Sequence, residues 1–401
     1  MGDVGRGPMI VGDDRRTRIL LLAILATGLA LRLAAAALLP EQNFPDAVLY
    51  REQARQLWQH FTFDDPYHMP LYQILLALTG PGWGSLTLDV FLSTVAIWLA
   101  FQLSLALFED ATTALLTALA IGLYPYFIFY AVVGLTETLF ITLLLAAYVC
   151  WYRGWFTAAA ICAVLSILTR PTFDLLAPIL VIYFSLFIHR LTYGATAKRV
   201  AGYAAVYLLL MSPWWIHNYH AYGTFVRLHF GANLTLYGSN HPDNQSGGVS
   251  DANQDLLKFE KIPDPIARDR AYRDAAVRHI IEDPVRFIKL AGLKFTRFWR
   301  PWPFAEDYRT PLYVAGSIVS FVPVLILAIV YLVFFSGGHL VRIFPLLLFI
   351  GYLTAVHMIM VGSIRYRLPL EPFLVVFAAA ALRRLVGRIN GPREQKILRV
   401  R

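Results

Sequence analysis

The sequence predicts an all-α polytopic membrane protein, and three observations support that fold class. Of 401 residues, 58% are hydrophobic and only 15% are charged, whereas soluble domains are usually about half apolar. Apolar runs recur along the chain and are joined by short polar connections. The formal charge of +9 comes mainly from Arg and Lys at the ends of these runs and in one large loop. This distribution indicates contact with anionic lipids rather than with nucleic acid.

The first apolar run, 19–39, follows a polar segment, 1–18, that ends in three arginines. The positive-inside rule therefore places the N-terminus in the cytoplasm, and this helix exits outward. A signal peptide is the alternative. However, the run is longer than a usual signal core and contains Arg32, which favours an uncleaved span.

The first outer loop, 41–85, contains two helical patterns. One covers 46–59, and Asp46 stands where an N-cap would. The other covers 69–79 and is too short to cross a bilayer, because a spanning helix needs about twenty residues. Both helices are therefore predicted to lie parallel to the membrane.

The remaining apolar runs complete a bundle of about ten spans. The predicted spans are 19–39, 86–108, 111–130, 135–151, 155–170, 172–189, 200–216, 311–335, 340–361 and 368–382. The predicted regions are a cytoplasmic tail (1–18), a membrane module (19–216), an extracytoplasmic loop region (217–310), C-terminal spans (311–382) and a basic cytoplasmic tail (383–401). Within the loop region, 264–282 and 284–299 are predicted helices. The second has the apolar face and the cations of an interfacial helix.

This topology gathers charged residues on the same outer side as Asp46. Charges inside or at the ends of spans are costly and tend to mark function. The charged residues on this side are Arg32, Asp89, Glu137, Arg170, Asp174, Arg365 and Arg367.

Several of these residues also have a purely structural interpretation. Arg32 can snorkel or pair with Asp89. Arg170 and Asp174 are four residues apart and can form an ion pair, although Pro171 interrupts the helix between them. Glu137 stands in a first helical turn, where the helix dipole favours a carboxylate. The sequence alone leaves these alternatives open.

Two polar segments are assigned to the surface. Asp64 and Asp65 precede Pro66 in a turn-like stretch and are interpreted as solvated. The segment 231–248 is rich in Gly, Asn and Ser and is interpreted as a surface loop, with the binding of sugar hydroxyls as the alternative.

The strongest anomaly is the sequence Arg365-Tyr366-Arg367-Leu368-Pro369. Two arginines in a very short outer loop run against the positive-inside tendency. A phosphate suits the forked guanidinium group. This motif therefore favours anion binding over simple anchoring at the membrane interface.

A set of segments in a fixed order carries a resemblance to a known family. The segments are Phe44-Pro45-Asp46 to Leu57, Met69-Pro70-Leu71 to Leu78, Tyr124-Pro125 to Phe140, Leu168-Thr169-Arg170-Pro171, Trp214-Trp215 to Tyr219, Gly238-Ser239 to Pro242 and Arg365 to Pro369. The sequence resembles the GT-C class of polytopic glycosyltransferases, which use polyprenyl-phosphate sugar donors. The resemblance is strongest to the bacterial branch related to family 39 protein O-mannosyltransferases and lipid A aminoarabinose transferases.

The resemblance implies a GT-C bundle that moves a sugar, with inversion, to an acceptor hydroxyl on a glycan, lipid or protein. The reaction would take place on the extracytoplasmic face of the inner (plasma) membrane. Asp46 would be the general base, and Arg365 and Arg367 would hold the lipid phosphate. The further implied substrate contacts are Glu137, Arg170, Tyr50, His68 and Tyr72.

One departure from the family pattern concerns the position after the aspartate. Many relatives carry a second acidic residue where this chain has Ala47, so Asp46 is expected to act as a single base. No metal ligands are assigned, and a requirement for a divalent metal stays open. A transporter or flippase of a lipid-linked sugar is the alternative function, and a non-catalytic membrane scaffold is a third. We find no internal repeat, which favours the enzyme over the transporter.

Overall fold

A computed structural model describes residues 15–39, 44–80, 83–248, 258–303 and 310–397. Its α-helices are α1 (Arg15–Leu38), α2 (Pro45–His60), α3 (Leu71–Thr79), α4 (Trp83–Phe108), α5 (Ala111–Leu123), α6 (Pro125–Tyr130), α7 (Glu137–Tyr152), α8 (Phe156–Thr169), α9 (Leu176–Tyr183), α10 (Tyr193–Tyr222), α11 (Gly231–Asn240), α12 (Pro265–Glu282), α13 (Pro284–Trp299), α14 (Pro311–Phe334), α15 (Leu340–Ile359), α16 (Ile364–Arg367) and α17 (Glu371–Ile397). The described part of the chain contains no β-strand. Most of the predicted N-terminal tail and the last residues of the C-terminal tail lie outside these ranges.

The all-α membrane class predicted from composition is confirmed. Four segments are long and apolar enough to cross a membrane, namely Arg15–Leu38, Leu86–Phe108, Pro311–Phe334 and Gly337–Ile359. Four shorter apolar helices accompany them, at Ala111–Leu123, Glu137–Tyr152, Phe156–Thr169 and Leu176–Ile188. The chain is therefore a multi-pass membrane protein, whereas the figure of about ten spans stays a prediction.

The core of the bundle forms around α7. Its side chains Tyr148 and Trp151 are fully buried, and the α7 helix packs against α4 and α8. In contrast, α1 and α14 expose large apolar residues such as Leu22 and Val319. Such residues suit contact with lipid chains, because acyl chains are as apolar as the side chains themselves.

The two helices predicted in the first outer loop are present as α2 and α3. The interpretation of Asp46 as an N-cap is wrong, because the helix begins one residue earlier. Phe44 is the N-cap residue, Pro45 occupies the first turn and Asp46 lies inside that turn. Proline is favoured at this position, since its missing N–H would have no helical partner.

The segment interpreted as a surface loop is helical from Gly231 to Asn240. This helix, α11, packs on α12 through a small apolar cluster in which Tyr237 and Tyr272 are buried. Tertiary burial thus outweighs the turn-forming residues of the segment. The predicted helices 264–282 and 284–299 coincide with α12 and α13, and Asp264 and Asp283 cap them.

Candidate active site

Four charged side chains meet at one end of the bundle. Arg365 donates from Nη1 to Oδ2 of Asp46 at 2.6 Å and from Nε to Oε1 of Glu137 at 2.5 Å. Arg170 donates from Nη1 to the same Glu137 oxygen at 2.6 Å. We call these four residues the charged cluster. Two carboxylates and two guanidinium groups balance their charges, and Arg365 bridges the two acids.

Asp46 is positioned by the burial of the helix that carries it. Ala47, the next residue, is fully buried, and its Cβ lies 3.8 Å from the Cβ that a side chain at Gly134 would have. Gly134 has a φ of +73°, a conformation that favours glycine. A second carboxylate at Ala47 would therefore be buried against this turn. Asp46 itself is 36% exposed, and its Oδ1 accepts no hydrogen bond from any described residue.

Glu137 and Arg170 occupy the ends of two neighbouring helices. Glu137 is the first residue of α7 and is fully buried. Arg170 follows the last residue of α8 and has an extended backbone. Pro171 explains this conformation, because a proline disfavours the helical region for the residue before it. Arg170 also donates a hydrogen bond from Nη1 to Oγ1 of Thr136 at 3.1 Å.

Arg365 and Arg367 lie in the four-residue helical turn α16. Residues two apart in a helix project about 200° from each other, since each residue turns the chain by about 100°. Arg365 points to the charged cluster and is 20% exposed. Burial disfavours its charged form, but Glu137 and Asp46 outweigh burial and raise the pKa of Arg365 well above its ordinary value.

Arg367 points the other way and is fully buried. Its Nε donates to Oε1 of Glu371 at 2.7 Å, and its Nη1 donates to the carbonyl oxygens of Phe298 and Arg300. The guanidinium also lies 3.5 Å from the ring centroid of Phe321. This geometry supports the packing of the bundle, and the structure does not bring Arg367 to the charged cluster.

Two cavities flank the charged cluster. A cavity of about 630 Å³ is lined by Asp46, His68, Arg170, Arg227 and Arg365, together with apolar residues of α11 and α15. We call it the charged cavity. A second cavity of about 550 Å³ is lined mostly by aromatic and small residues, among them Phe44, Phe129 and Tyr313. We call it the aromatic cavity, and Arg365 lies in its wall too.

The remaining predicted contact residues divide into two groups. Tyr50 and His68 line the charged cavity, with ring centroids 5.0 Å apart. Burial first, and then the charge of Asp46, raise the pKa of Tyr50. Tyr72 is fully buried and donates to Oδ2 of Asp89 at 2.6 Å. It supports the ring of Tyr50 from behind, at 5.6 Å, and does not line the cavity.

Two ion pairs considered from the sequence, Arg32–Asp89 and Arg170–Asp174, do not form. Arg32 does not pair with Asp89 but donates to Ser93 Oγ and to the carbonyl oxygens of Gly28 and Gly122. Asp174 pairs with Arg227 instead of Arg170.

The interpretation of Asp65 as a solvated residue is also wrong, because Asp65 is only 3% exposed. It accepts hydrogen bonds from the backbone of Tyr67 and from the side chain of Gln73, and it lies 2.8 Å from His68 Nδ1. Burial raises the pKa of Asp65, but the contacts with His68, Tyr67 and Gln73 outweigh burial and lower it overall.

Sequence reasoning missed other residues that line the charged cavity. Arg227, His229 and Tyr366 are examples. The ring of Tyr366 lies 5.4 Å from the guanidinium of Arg170 and stacks on His357 at 4.8 Å. The position of Tyr366 inside the arginine motif was a usable signal. Nothing in the local sequence marks Arg227 or His229.

The segment that leads to Arg365 is fixed from outside by α13. Lys294 is fully buried and donates from Nζ to Asn240 Oδ1 and to the carbonyl oxygen of Ile359, both at 2.8 Å. Arg297 donates to the carbonyl oxygen of Gly362 at 3.1 Å. A Cβ at Gly362 would lie 2.2 Å from the backbone oxygen of Lys294, so only glycine fits this close approach. Burial, with a smaller effect from Arg286, lowers the pKa of Lys294 to about 7.

The charged cluster does not have the ligand set of a metal site. Nowhere in the described ranges do three or more His, Cys, Asp or Glu side chains gather closely enough to hold a metal ion. The two acids of the cluster are both engaged by arginines. We therefore derive no chemical step through a metal.

No protein-family model and no curated protein matches the sequence. Among solved structures, the chain is similar to the archaeal oligosaccharyltransferase AglB from Archaeoglobus fulgidus, in complex with an inhibitory peptide and a dolichol-phosphate. The TM-score is 0.58 at 12% sequence identity, over 96% of this chain and 52% of that chain. The chain has a GT-C type fold. It spans about half the length of AglB.

A second similar structure is ArnT from Cupriavidus metallidurans bound to undecaprenyl phosphate. The TM-score is 0.43 at 16% identity, over 94% of this chain and 79% of that chain.

Proposed function

We propose that this protein is a membrane glycosyltransferase that moves a sugar from a polyprenyl-phosphate donor to an acceptor hydroxyl. One observation carries the proposal: Arg365 lies in the walls of both cavities and contacts Asp46. Its Nη2 makes no hydrogen bond with any described residue. A cation at the junction of two binding spaces, beside a partly exposed carboxylate, suits a reaction between two substrates.

The aromatic cavity is suited to the donor lipid. Its lining includes Leu312 and Tyr313 at the start of α14, and Leu312 is 81% exposed. The cavity therefore reaches the surface of a helix that is apolar enough to face the bilayer. A prenyl chain would lie among these side chains while its phosphate reached Arg365, whose fork matches phosphate oxygens.

The charged cavity is suited to the acceptor, because Asp46 lies in its wall with Oδ1 free of described partners. In the proposed reaction, Asp46 removes the proton of the acceptor hydroxyl, and that oxygen forms a bond to the anomeric carbon. The bond between the anomeric carbon and the phosphate oxygen breaks on the opposite side, which inverts the configuration. The electron pair leaves with the polyprenyl phosphate.

Arg365 would stabilise the charge that grows on this leaving phosphate. Groups aimed at developing charge supply a large share of catalysis, because they are already oriented before the reaction. Glu137 and Arg170 hold the guanidinium in that orientation through the contacts described above. Arg170, 14% exposed, is a further cation in the wall of the charged cavity.

The similarity to AglB supports the proposed donor, because AglB is an oligosaccharyltransferase whose structure contains dolichol-phosphate. The positive-inside rule supports a reaction on the extracytoplasmic face, because arginines such as Arg16, Arg153 and Arg383 lie at the opposite ends of the helices. The membrane is proposed to be the inner (plasma) membrane. The sugar and the acceptor are left unassigned by this proposal.

The proposal is tested with the purified full-length protein in liposomes that contain a native membrane extract as acceptor. Radiolabelled polyprenyl-phosphate sugars are supplied one at a time, and transfer is measured for wild type, Asp46→Asn and Glu52→Gln. Glu52 is the matched control, since it lies on the same helix, is exposed, and among the described residues pairs with Arg55 and Gln56 of that helix. We expect Asp46→Asn to lower transfer by about 10²–10⁴-fold and Glu52→Gln to leave it unchanged.

Transfer by Asp46→Asn at the wild-type rate would show that Asp46 is not the base. Movement of the carrier across the bilayer with no transfer of any sugar would favour a flippase.

A further inference from the structure

A third cavity lies at the far end of the bundle from the charged cluster. It has a volume of about 540 Å³, and its lining includes Tyr152, His189, Arg190, His339 and Arg342. We call it the basic cavity. Helix α7 begins at Glu137 in the charged cluster and ends at Tyr152 in this lining. The two sites are thus separated by the length of a helix.

The basic cavity is positively charged. Its lining residues include two arginines and two histidines and no carboxylate. Arg342 pairs with Glu109 at 2.9 Å, just outside the lining. Arg190 is exposed and makes no hydrogen bond or ion pair with any residue that the structure describes. An anion that entered this space would find one cation without a competing partner.

A further cation approaches from α17. Nη2 of Arg384 lies 2.8 Å from Nε2 of His339. The local field therefore disfavours additional positive charge and favours a bound anion.

The backbone around the cavity is unusual on one side and open on the other. Residues Phe184–Ile188 form a π-helical turn, a feature that is frequent at functional sites. Arg190 then adopts a φ of +52°, a left-handed conformation that is uncommon for a non-glycine residue. Across the cavity, a Cβ added at Gly337 or Gly338 would meet no heavy atom within 4 Å. The walls are fixed, since Tyr183 donates to the carbonyl oxygen of Val341.

The rim of the cavity is apolar. Phe187, Leu340 and Val341 line it and are each more than half exposed. Helix α15, which begins at Leu340, belongs to a segment apolar enough to cross a membrane. A ligand that fits both features has an anionic phosphate for the arginines and hydrocarbon chains for the rim.

We propose that the basic cavity binds the phosphate headgroup of an anionic phospholipid, with the acyl chains against Phe187, Leu340 and Val341. Basic pockets between spans on the cytoplasmic side are suited to such headgroups. This site is separate from the proposed transfer reaction and does not depend on it. In this proposal, the arginines at this end of the bundle bind a specific ligand, in addition to their effect on membrane topology.

The test uses full-length protein in phosphatidylcholine nanodiscs, with lipid retention measured by native mass spectrometry. Phosphatidylglycerol is titrated into wild type, Arg190→Gln and Lys198→Gln. Lys198 is the matched control, because it is an exposed cation near the start of α10, at the same end of the bundle and outside the cavity. A second variant, His339→Gln, probes the opposite wall.

We expect wild type to retain phosphatidylglycerol in preference to phosphatidylcholine. Arg190→Gln should weaken that preference by about fivefold, and Lys198→Gln should leave it unchanged. Equal losses in Arg190→Gln and Lys198→Gln would show a general surface potential and overturn the site. Displacement of the lipid by millimolar inorganic phosphate would overturn the assignment of a lipid and indicate a free anion. Equal melting temperatures in phosphatidylcholine alone would show that the variants are folded. If Arg190→Gln is not folded, His339→Gln replaces it in the comparison with Lys198→Gln.

Discussion

Arg365 and Arg367 lie two residues apart in the same helical turn and carry the same charge, yet their surroundings differ completely. Arg365 contacts Asp46 and Glu137 and lies in the walls of two cavities. Arg367 is sealed against Glu371 and two backbone carbonyl oxygens. The helical period, and not the shared motif, therefore determines which of the two arginines faces the cavities.

The first prediction concerns Arg365, the exposed arginine of the pair. We expect Arg365→Gln to lower sugar transfer by about 10²–10³-fold, because it removes the cation proposed to stabilise the leaving phosphate. Arg365→Lys should recover part of the rate, since it keeps the charge and loses the fork. Steady-state transfer rates per folded molecule measure both. Wild-type turnover in Arg365→Gln would contradict the proposed role.

The second prediction concerns the buried side. Arg367→Met leaves Glu371 buried without its cation, and loss of one partner of a buried pair costs about 3–5 kcal/mol. The melting temperature should therefore drop markedly. The double variant Arg367→Met/Glu371→Leu should recover most of the stability, because no charge stays buried, although two carbonyl oxygens lose a donor. A single variant as stable as wild type would disprove the structural role of Arg367.

The third prediction concerns the support of Arg365. Lys294→Met keeps the volume of the side chain but removes the donor to Asn240 and Ile359. The segment that precedes Arg365 should lose its fixed position, and we expect transfer to drop by about tenfold, in line with the sensitivity of catalysis to small displacements. Lys289→Met, on the exposed face of the same helix, is the control. Equal transfer rates for the two variants would show that Lys294 does not position Arg365.

The last prediction concerns the dependence of stability on pH. The pKa of buried Lys294 is lowered to about 7 from its ordinary value of 10.5. Between these values the unfolded chain binds more protons than the folded protein, so stability should rise as the pH increases from about 7 to 10. Melting temperatures across this range should rise more steeply for wild type than for Lys294→Met. Parallel curves would show that Lys294 is protonated in the folded protein throughout.

The fold was largely predictable from the sequence because apolar runs and helix signals are local. The predicted helices 264–282 and 284–299, for example, coincide with α12 and α13. The helix at Gly231–Asn240 was not predictable, because distant residues of α12 bury its apolar face.

The site was predictable only in part. The predicted topology placed Asp46, Glu137, Arg170 and Arg365 on one side of the membrane, and the structure brings these four side chains together. Their chemical roles stay a proposal. The partners of individual charges could not be predicted, because Arg227, which pairs with Asp174, comes from a part of the chain with no local signal. The division of space into two cavities depends on packing between distant helices.

The central claim is that Arg365, and not Arg367, holds the lipid phosphate beside Asp46. Equilibrium binding of undecaprenyl phosphate and dolichyl phosphate to the purified protein tests it most directly, without any knowledge of sugar or acceptor. We predict that Arg365→Gln weakens binding by at least about tenfold and that the stable pair variant Arg367→Met/Glu371→Leu stays within about twofold of wild type. Unchanged binding in Arg365→Gln, or a larger loss in the pair variant, would show that Arg365 does not hold the lipid phosphate.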